Sequence, residues 1–224
     1  MKFAFSILAL IVAALVIPFL IPGAGKQAGV DPESNLPWQI ELSADGRSQA
    51  FGLSPGNSTL GEVHQRWGTD RELAIVAAPD EVGQLEAYYN QVALGFVLAK
   101  VIVTVDADQD AITAMRERAL KAEPMQSTTR KIRLHPDDVL QAETMKIRAI
   151  SVVPTVNLDE ATIIQRFGTP SERIEAGEGR VHLLYAKQGL DVVLDAKAKE
   201  LFQYVAPAGF DALRAPLLKA AAGR

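Results

Sequence analysis

Residues 53–69 read LSPGNSTLGEVHQRWGT, and residues 152–169 read VVPTVNLDEATIIQRFGT. Both stretches end in Gln-Arg, an aromatic residue, Gly and Thr, and their glycines, Gly68 and Gly168, lie 100 positions apart (168 − 68 = 100). A motif that recurs in this way indicates one small module that occurs twice in the chain of 224 residues. We therefore predict an α+β fold with two tandem copies of a helix packed on an antiparallel sheet.

The first copy of the motif has the pattern of a short, capped helix. Thr59 and Glu62 have the spacing of a capping box, which predicts the start of a helix at this point. Val63 and Trp67 then fall on one apolar face, and Gly68 is well placed to end the helix.

The second copy predicts an equivalent helix. Asn157 together with Glu160 is expected to cap it, and Ala161, Ile164 and Phe167 are expected to face the core. The two helices should therefore pack on the sheet in the same way.

The aromatic and glycine residues of the motif are interpreted as structural. Trp67 and Phe167 each end the apolar face of a helix, where a large aromatic side chain packs against the sheet. Gly68 and Gly168 are expected to adopt a left-handed backbone conformation, which glycine adopts without strain.

The N-terminal run of residues 3–21 contains no charged residue. As a helix it would be roughly 28 Å long, close to the thickness of a bilayer's hydrocarbon core. We expect residues 1–22 to form an uncleaved membrane anchor, with a cleaved signal peptide as the alternative. Lys2 favours a cytoplasmic N-terminus, which would place the rest of the chain on the periplasmic side. Residues 23–36 are expected to form a flexible tether.

The remaining chain divides into module one (residues 37–122), a linker (residues 123–129) and module two (residues 130–224). Each module is expected to open with a hairpin; Asp45-Gly46 marks the turn of the first, and Pro136-Asp137-Asp138 turns the chain in the second. Further strands are predicted at residues 73–77, 85–89, 95–105, 173–176, 181–185, 190–194 and 201–205, with helices at residues 111–121 and 210–222.

A short capped helix that ends in an aromatic residue, Gly and Thr or Pro, followed by three antiparallel strands, resembles the outer-membrane assembly lipoprotein BamE and the β-lactamase-inhibitory protein. Modules of that family commonly read T-x-x-E-V-x-x-x-F/W-G-x-P, followed by a strand that ends in Tyr. The matching residues are Thr59, Glu62, Val63, Trp67, Gly68, Thr69 and Tyr88 or Tyr89 in module one, and Glu160, Phe167, Gly168, Thr169, Pro170 and Tyr185 in module two.

The chain departs from that family pattern in three ways. It has no cysteine that could be lipidated, module one has no proline after Thr69, and each module is expected to open with an extra hairpin. The resemblance implies a small α+β binding module without catalysis. The residues that it carries over are structural, so it implies no catalytic site.

Composition excludes several classes of function. The absence of cysteine excludes disulfides, thiolate metal sites and a cysteine nucleophile. A net charge of −4 argues against a general nucleic-acid-binding protein, which would carry a basic surplus. The sequence contains no nucleophile-elbow, P-loop or dinucleotide-binding motif. We therefore expect no enzymatic activity and no cofactor.

The candidate metal ligands have simpler interpretations. His64, His135 and His182 do not have the spacing of a metal site, and Ile164 at the position equivalent to His64 favours a packing role for that histidine. The run Asp106-Ala107-Asp108-Gln109-Asp110 invites a calcium interpretation, but it is already explained as the acidic start of a helix. We expect no metal site.

The expected function is that of a membrane-anchored, non-enzymatic protein that binds another envelope protein as a scaffold or assembly factor. The expected contact surfaces are sheet faces together with whichever of four tyrosines are exposed: Tyr88, Tyr89, Tyr185 and Tyr204. One alternative is an enzyme inhibitor that uses the same sheet face. The other is a small-ligand binder or enzyme with a cleft between the modules.

Overall fold

The computed structural model describes residues 33–125, 129–177 and 179–222. The expected anchor, residues 1–22, and most of the expected tether lie outside these ranges. In the described residues, no helix is both long and apolar enough to cross a membrane.

The architecture is mixed α+β and is dominated by one antiparallel sheet of ten strands in the order β6-β7-β3-β4-β5-β8-β12-β11-β10-β9. A separate hairpin of β1 and β2 precedes it in the chain. The strands are β1 Ile40–Leu42, β2 Ser48–Ala50, β3 Glu72–Ala77, β4 Gln84–Leu94, β5 Val97–Val105, β6 Lys121–Pro124, β7 Arg130–Arg133, β8 Ile147–Pro154, β9 Glu172–Glu175, β10 Arg180–Tyr185, β11 Leu190–Asp195 and β12 Leu201–Val205.

Five α-helices accompany the sheet in the described part of the chain. They are α1 Leu60–Trp67, α2 Gln109–Glu117, α3 Pro136–Ala142, α4 Glu160–Phe167 and α5 Phe210–Ala222. The opening hairpin, the first motif helix and the closing helix therefore lie where the sequence predicts them.

The two halves of the sheet have matching strand order and register. Strands β3, β4, β5 and β8 are neighbours in this order, and so are β9, β10, β11 and β12. The two sets meet where β8 pairs with β12, with Ser151 opposite Gln203. An approximate two-fold axis through this pair relates the following cross-strand pairs: Glu72–Tyr88 to Glu172–Leu184, and Ile102–Ser151 to Asp191–Gln203.

The motif helices pack on the same face of the sheet. The ring of Trp67 lies 5.6 Å from that of Tyr89, and the ring of Phe167 lies 5.9 Å from that of Tyr185. These contacts belong to one hydrophobic core that runs across both halves of the sheet. The prediction that the motif aromatics are packing residues is therefore consistent with their contacts.

The helix-ending glycines adopt a conformation more restricted than the expected one. Gly68 has φ 83° and ψ −178°, and Gly168 has φ 85° and ψ −173°. The positive φ agrees with the prediction, but ψ is extended rather than left-handed helical. This region is essentially limited to glycine, so the motif needs glycine at both positions.

The second motif helix differs from the prediction in its cap and its buried face. The side chain of Asp159, not Asn157, accepts the capping bond from Thr162 N at 2.8 Å. Ile163 is buried, whereas Ile164 is 37% exposed and Ala161 is exposed. The prediction that Ala161 and Ile164 face the core is wrong: the buried Ile163 is the counterpart of the buried Val63 in the first motif helix (163 − 63 = 100), and it lies four residues before Phe167 on the same face.

The opening of module two also differs from the prediction. Pro136, Asp137 and Asp138 form the first turn of α3, since proline is well tolerated at a helix start. The expected hairpin does not form: β7 pairs with β3 and β6, while β8 pairs with β5 and β12. The helix predicted over residues 111–121 ends at Glu117, and strand β6 begins at Lys121.

Helix α5 lies on the face of the sheet opposite the motif helices. Its residues Phe210, Leu213 and Leu217 form a second core cluster with Ile174 and Leu184. An ion pair between Arg214 Nε and Glu172 Oε1, 2.6 Å apart, fixes the helix over β9. This face therefore has a helix over the second half of the sheet.

Candidate functional site

A groove lies beside α5, over the seam where β8 pairs with β12. It encloses about 330 Å³, which is at the lower end of the range for small-ligand pockets. The residues that line it include Ile102, Ser151, Leu201, Gln203, Ala212 and Leu213.

Strand alternation explains why these side chains share one face. Ile102 is the cross-strand neighbour of Ser151, and Ser151 is that of Gln203. Since neighbours across a ladder point to the same side, the three side chains form one row across the sheet. The groove is thus built by a continuous sheet spanning both halves of the chain.

The floor of the groove is apolar and its polar groups are few. Ile102, Leu201 and Leu213 are buried, whereas Ser151 and Gln203 are half-buried. Such a site can hold an apolar side chain and orient it by hydrogen bonds to a hydroxyl and an amide. Among the described residues that line it there is no histidine to activate Ser151 as a nucleophile.

An ion pair stands at one end of the groove. Arg148 Nη2 lies 2.7 Å from Asp106 Oδ1, and both side chains are about half exposed. Asp108 instead caps α2 by accepting from Ala111 N at 2.7 Å. The run of aspartates is therefore divided between an ion pair and a helix cap, and in the described ranges no cluster of three metal-ligating side chains forms.

Glu86 is a buried carboxyl group on the same face as the groove. It is 6% exposed, and its cross-strand neighbour Thr104 lines the groove. Burial raises the pKa of Glu86 to about 8. Its Oε1 has no hydrogen-bond partner among the residues that the structure describes. The carboxyl group is therefore protonated at neutral pH.

The second half of the sheet carries a different ionisable group at the position related to Glu86. His182 Nδ1 lies 2.8 Å from Asp191 Oδ2, and each residue is 1% exposed. Burial raises the pKa of Asp191, and the hydrogen bond and charge of His182 oppose that increase. Because the pair is sealed from solvent, we interpret it as a structural polar contact within the core.

His64 belongs to a polar cluster, not to the apolar packing that the sequence favoured. Its Nδ1 and the guanidinium of Arg71 both contact the carboxylate of Glu143, at the end of α3. Burial, followed by the charge of Arg71, lowers the pKa of His64, while Glu143 opposes the decrease. The cluster ties α1, the start of β3 and the end of α3 together.

Three of the four tyrosines considered as contact residues are in the core. Tyr89, Tyr185 and Tyr204 are each 2% exposed. Tyr204 also donates its hydroxyl proton to Pro37 O at 2.8 Å. Tyr89 and Tyr185 point inward because they pack against the motif aromatics, whereas the ring of Tyr204 lies 5.2 Å from that of Phe51. Only Tyr88, which is half-buried, has side-chain surface for a partner.

The groove residues escaped sequence analysis, although a signal for them exists. Ser151 and Gln203 are single polar residues inside strands that are otherwise mostly apolar, ISVV and LFQYV. A polar residue at this place in a strand marks a face that is not fully covered. What the sequence lacks is the pairing of β8 with β12, which brings the two residues together.

The chain has no significant match among protein-family models, curated proteins or solved structures. The resemblance to BamE and the β-lactamase-inhibitory protein therefore stays a prediction based on the motif residues.

Proposed function

We propose that this protein is a membrane-anchored, non-enzymatic binding protein of the cell envelope, which holds a segment of another envelope protein in the groove beside α5. The observation that carries the proposal is the groove itself, with its apolar floor and only a few polar groups at Ser151, Gln203 and the Asp106–Arg148 pair. Such a site recognises an apolar side chain together with its neighbouring polar groups.

The tandem arrangement supports this proposal. The two similar halves of the sheet, β3-β4-β5-β8 and β9-β10-β11-β12, meet edge to edge in a single wide sheet, with a binding position at the seam that neither half has alone. The matching registers of the two halves are consistent with such a duplication. Residues 1–22 would keep this site close to the membrane, which raises its effective concentration toward membrane-bound partners.

The volume of the groove also favours a second candidate, a small apolar ligand. A space of about 330 Å³ can hold such a molecule without any protein partner. This corresponds to the sequence-based alternative of a ligand site between the modules.

The experiment is site-specific photocrosslinking of the full-length protein in its native membranes. A photoreactive amino acid replaces Gln203 in the groove, and a control replaces Leu140, which is 70% exposed on α3. We expect one envelope protein to crosslink at position 203 and none at position 140. Equal labelling at both positions, or none at position 203, would contradict the binding of a protein segment.

A groove-filling variant makes the assignment specific. Ala212→Trp places an indole in the groove from the exposed side of α5, and Ala220→Trp places the same group elsewhere on that helix. Ala212→Trp should abolish the crosslink, and Ala220→Trp should preserve it. A small molecule that co-purifies with the wild type and is lost only from Ala212→Trp would instead support the second candidate.

A further inference from the structure

One end of the sheet exposes a group of large apolar side chains. Phe96, at the tip of the β4–β5 hairpin, is 60% exposed, and Leu98 and Val156 are also exposed. The ring of the half-buried Trp38 lies 5.8 Å from that of Phe96. Thr155 N donates to Leu98 O at 2.9 Å, which brings Val156 to the same end. We call these four residues (Trp38, Phe96, Leu98 and Val156) the aromatic edge.

The described chain begins beside the aromatic edge. Residues 33–39 are tied to the sheet, because Tyr204 on β12 donates its hydroxyl proton to Pro37 O at 2.8 Å. The apolar run ends at residue 21, which is 12 positions before residue 33 (33 − 21 = 12). Even fully extended, these positions span at most about 40 Å. The aromatic edge is therefore near the point where the apolar run joins the domain.

Two cations flank the aromatic edge. The guanidinium carbon of Arg166 lies 4.9 Å from the centre of the Trp38 ring. Lys199 Nζ donates to Thr155 O at 2.9 Å. Exposed aromatic side chains with adjacent Arg and Lys are typical of protein surfaces at the boundary between lipid tails and headgroups.

We propose that the aromatic edge lies in the headgroup region of the membrane that holds residues 3–21. The inference rests on the membrane anchor in the proposed function and adds an orientation to it. The hairpin tip faces the lipid, with Arg166 and Lys199 beside the phosphates. The Asp106–Arg148 end of the groove then points away from the membrane, because Asp106 lies beyond the opposite end of β5.

The absence of cysteine in the natural chain allows a direct test. Phe96→Cys and, as a control, Leu120→Cys are labelled with an environment-sensitive fluorophore in the full-length protein. Leu120 is also exposed. Its backbone N donates to Arg133 O, and Arg133 lies in the same cross-strand row of the sheet as Thr104. Thr104 is seven residues from Val97 along β5 (104 − 97 = 7), or roughly 20 Å from the hairpin tip.

Both labelled proteins are reconstituted into phosphatidylcholine–phosphatidylglycerol vesicles with and without brominated acyl chains. We expect the emission of the label at position 96 to shift to the blue in vesicles. In brominated vesicles most of its fluorescence intensity should be quenched, whereas the label at position 120 should stay unquenched. A label on Leu98→Cys should behave like the label at position 96, so that the result does not depend on a single substitution.

Flotation of the vesicles separates the two proposals. If the protein floats with the vesicles but the labels at positions 96 and 98 behave like the label at position 120, the orientation is overturned while the anchor stands. If the protein does not float, the anchor is overturned, and the orientation falls with it. The crosslinking of the groove tests partner binding independently of both results.

Discussion

Glu86 should make the stability of this protein fall as the pH rises through neutrality. Its folded-state pKa of about 8 lies above the ordinary value of 4.5, because the carboxyl group is buried and its Oε1 has no partner in the described residues. Between these two values the folded protein keeps a proton that the unfolded chain has lost. The folded state therefore binds more protons, and its stability decreases with increasing pH.

The size of the effect follows from the difference between the two pKa values. A difference of 3.5 pH units (8 − 4.5 = 3.5) corresponds to roughly 5 kcal/mol at most, at about 1.4 kcal/mol per unit. The loss begins near pH 4.5 and is complete above pH 8. Glu86→Gln removes the titration and retains a neutral side chain of similar shape, so the variant should lose this part of the pH dependence.

The assay is urea unfolding of the full-length protein in detergent micelles, measured from pH 5 to pH 9. We expect the stability of Glu86→Gln relative to the wild type to increase steadily over this interval, by several kcal/mol in total. Glu117→Gln, at an exposed position on α2, should follow the wild-type curve. Parallel curves for the wild type and Glu86→Gln would refute the view that Glu86 is buried and protonated in the native state.

Four further substitutions test the packing of the fold by denaturant unfolding. Gly68→Ala and Gly168→Ala should each lower the free energy of unfolding by about 1–3 kcal/mol, because the φ and ψ of these residues are essentially limited to glycine. The control is Gly209→Ala, since Gly209 has no positive φ; an equal decrease in that variant would contradict the explanation. Tyr204→Phe should lower the free energy of unfolding by about 1–2 kcal/mol, because it leaves the buried Pro37 carbonyl unpaired. An unchanged free energy of unfolding would show that water replaces the hydroxyl. Asp191→Ala should lower the free energy of unfolding by about 3–5 kcal/mol, because it leaves His182 buried and unpaired. A decrease smaller than that of Gly68→Ala would argue against a tight pair.

Local signals in the sequence were sufficient for much of the secondary structure. The capping box of Thr59 and Glu62 forms as predicted, with Thr59 Oγ1 accepting from Glu62 N at 3.3 Å. The closing helix occupies residues 210–222. These features depend on residues close in sequence, whose side-chain chemistry decides the local backbone almost alone.

Features that depend on distant residues could not be predicted. The hairpin expected at the start of module two does not form because β7 pairs with β3, where Ile132 lies opposite Ile75, 57 residues earlier (132 − 75 = 57). Alternation in a single strand indicates a buried face but does not identify the neighbouring strand. The burial of Tyr204 and Glu86 escaped prediction for the same reason, since it depends on which strands and helices cover each face.

The seam between β8 and β12 also determines how a bound molecule would be oriented. If two identical chains met at such a seam, an asymmetric ligand on the axis would find two equivalent poses. Here one side of the axis offers the hydroxyl of Ser151 and the other the carboxamide of Gln203, and the Asp106–Arg148 pair marks one end. A single chain built from two similar halves therefore gives its ligand one preferred direction.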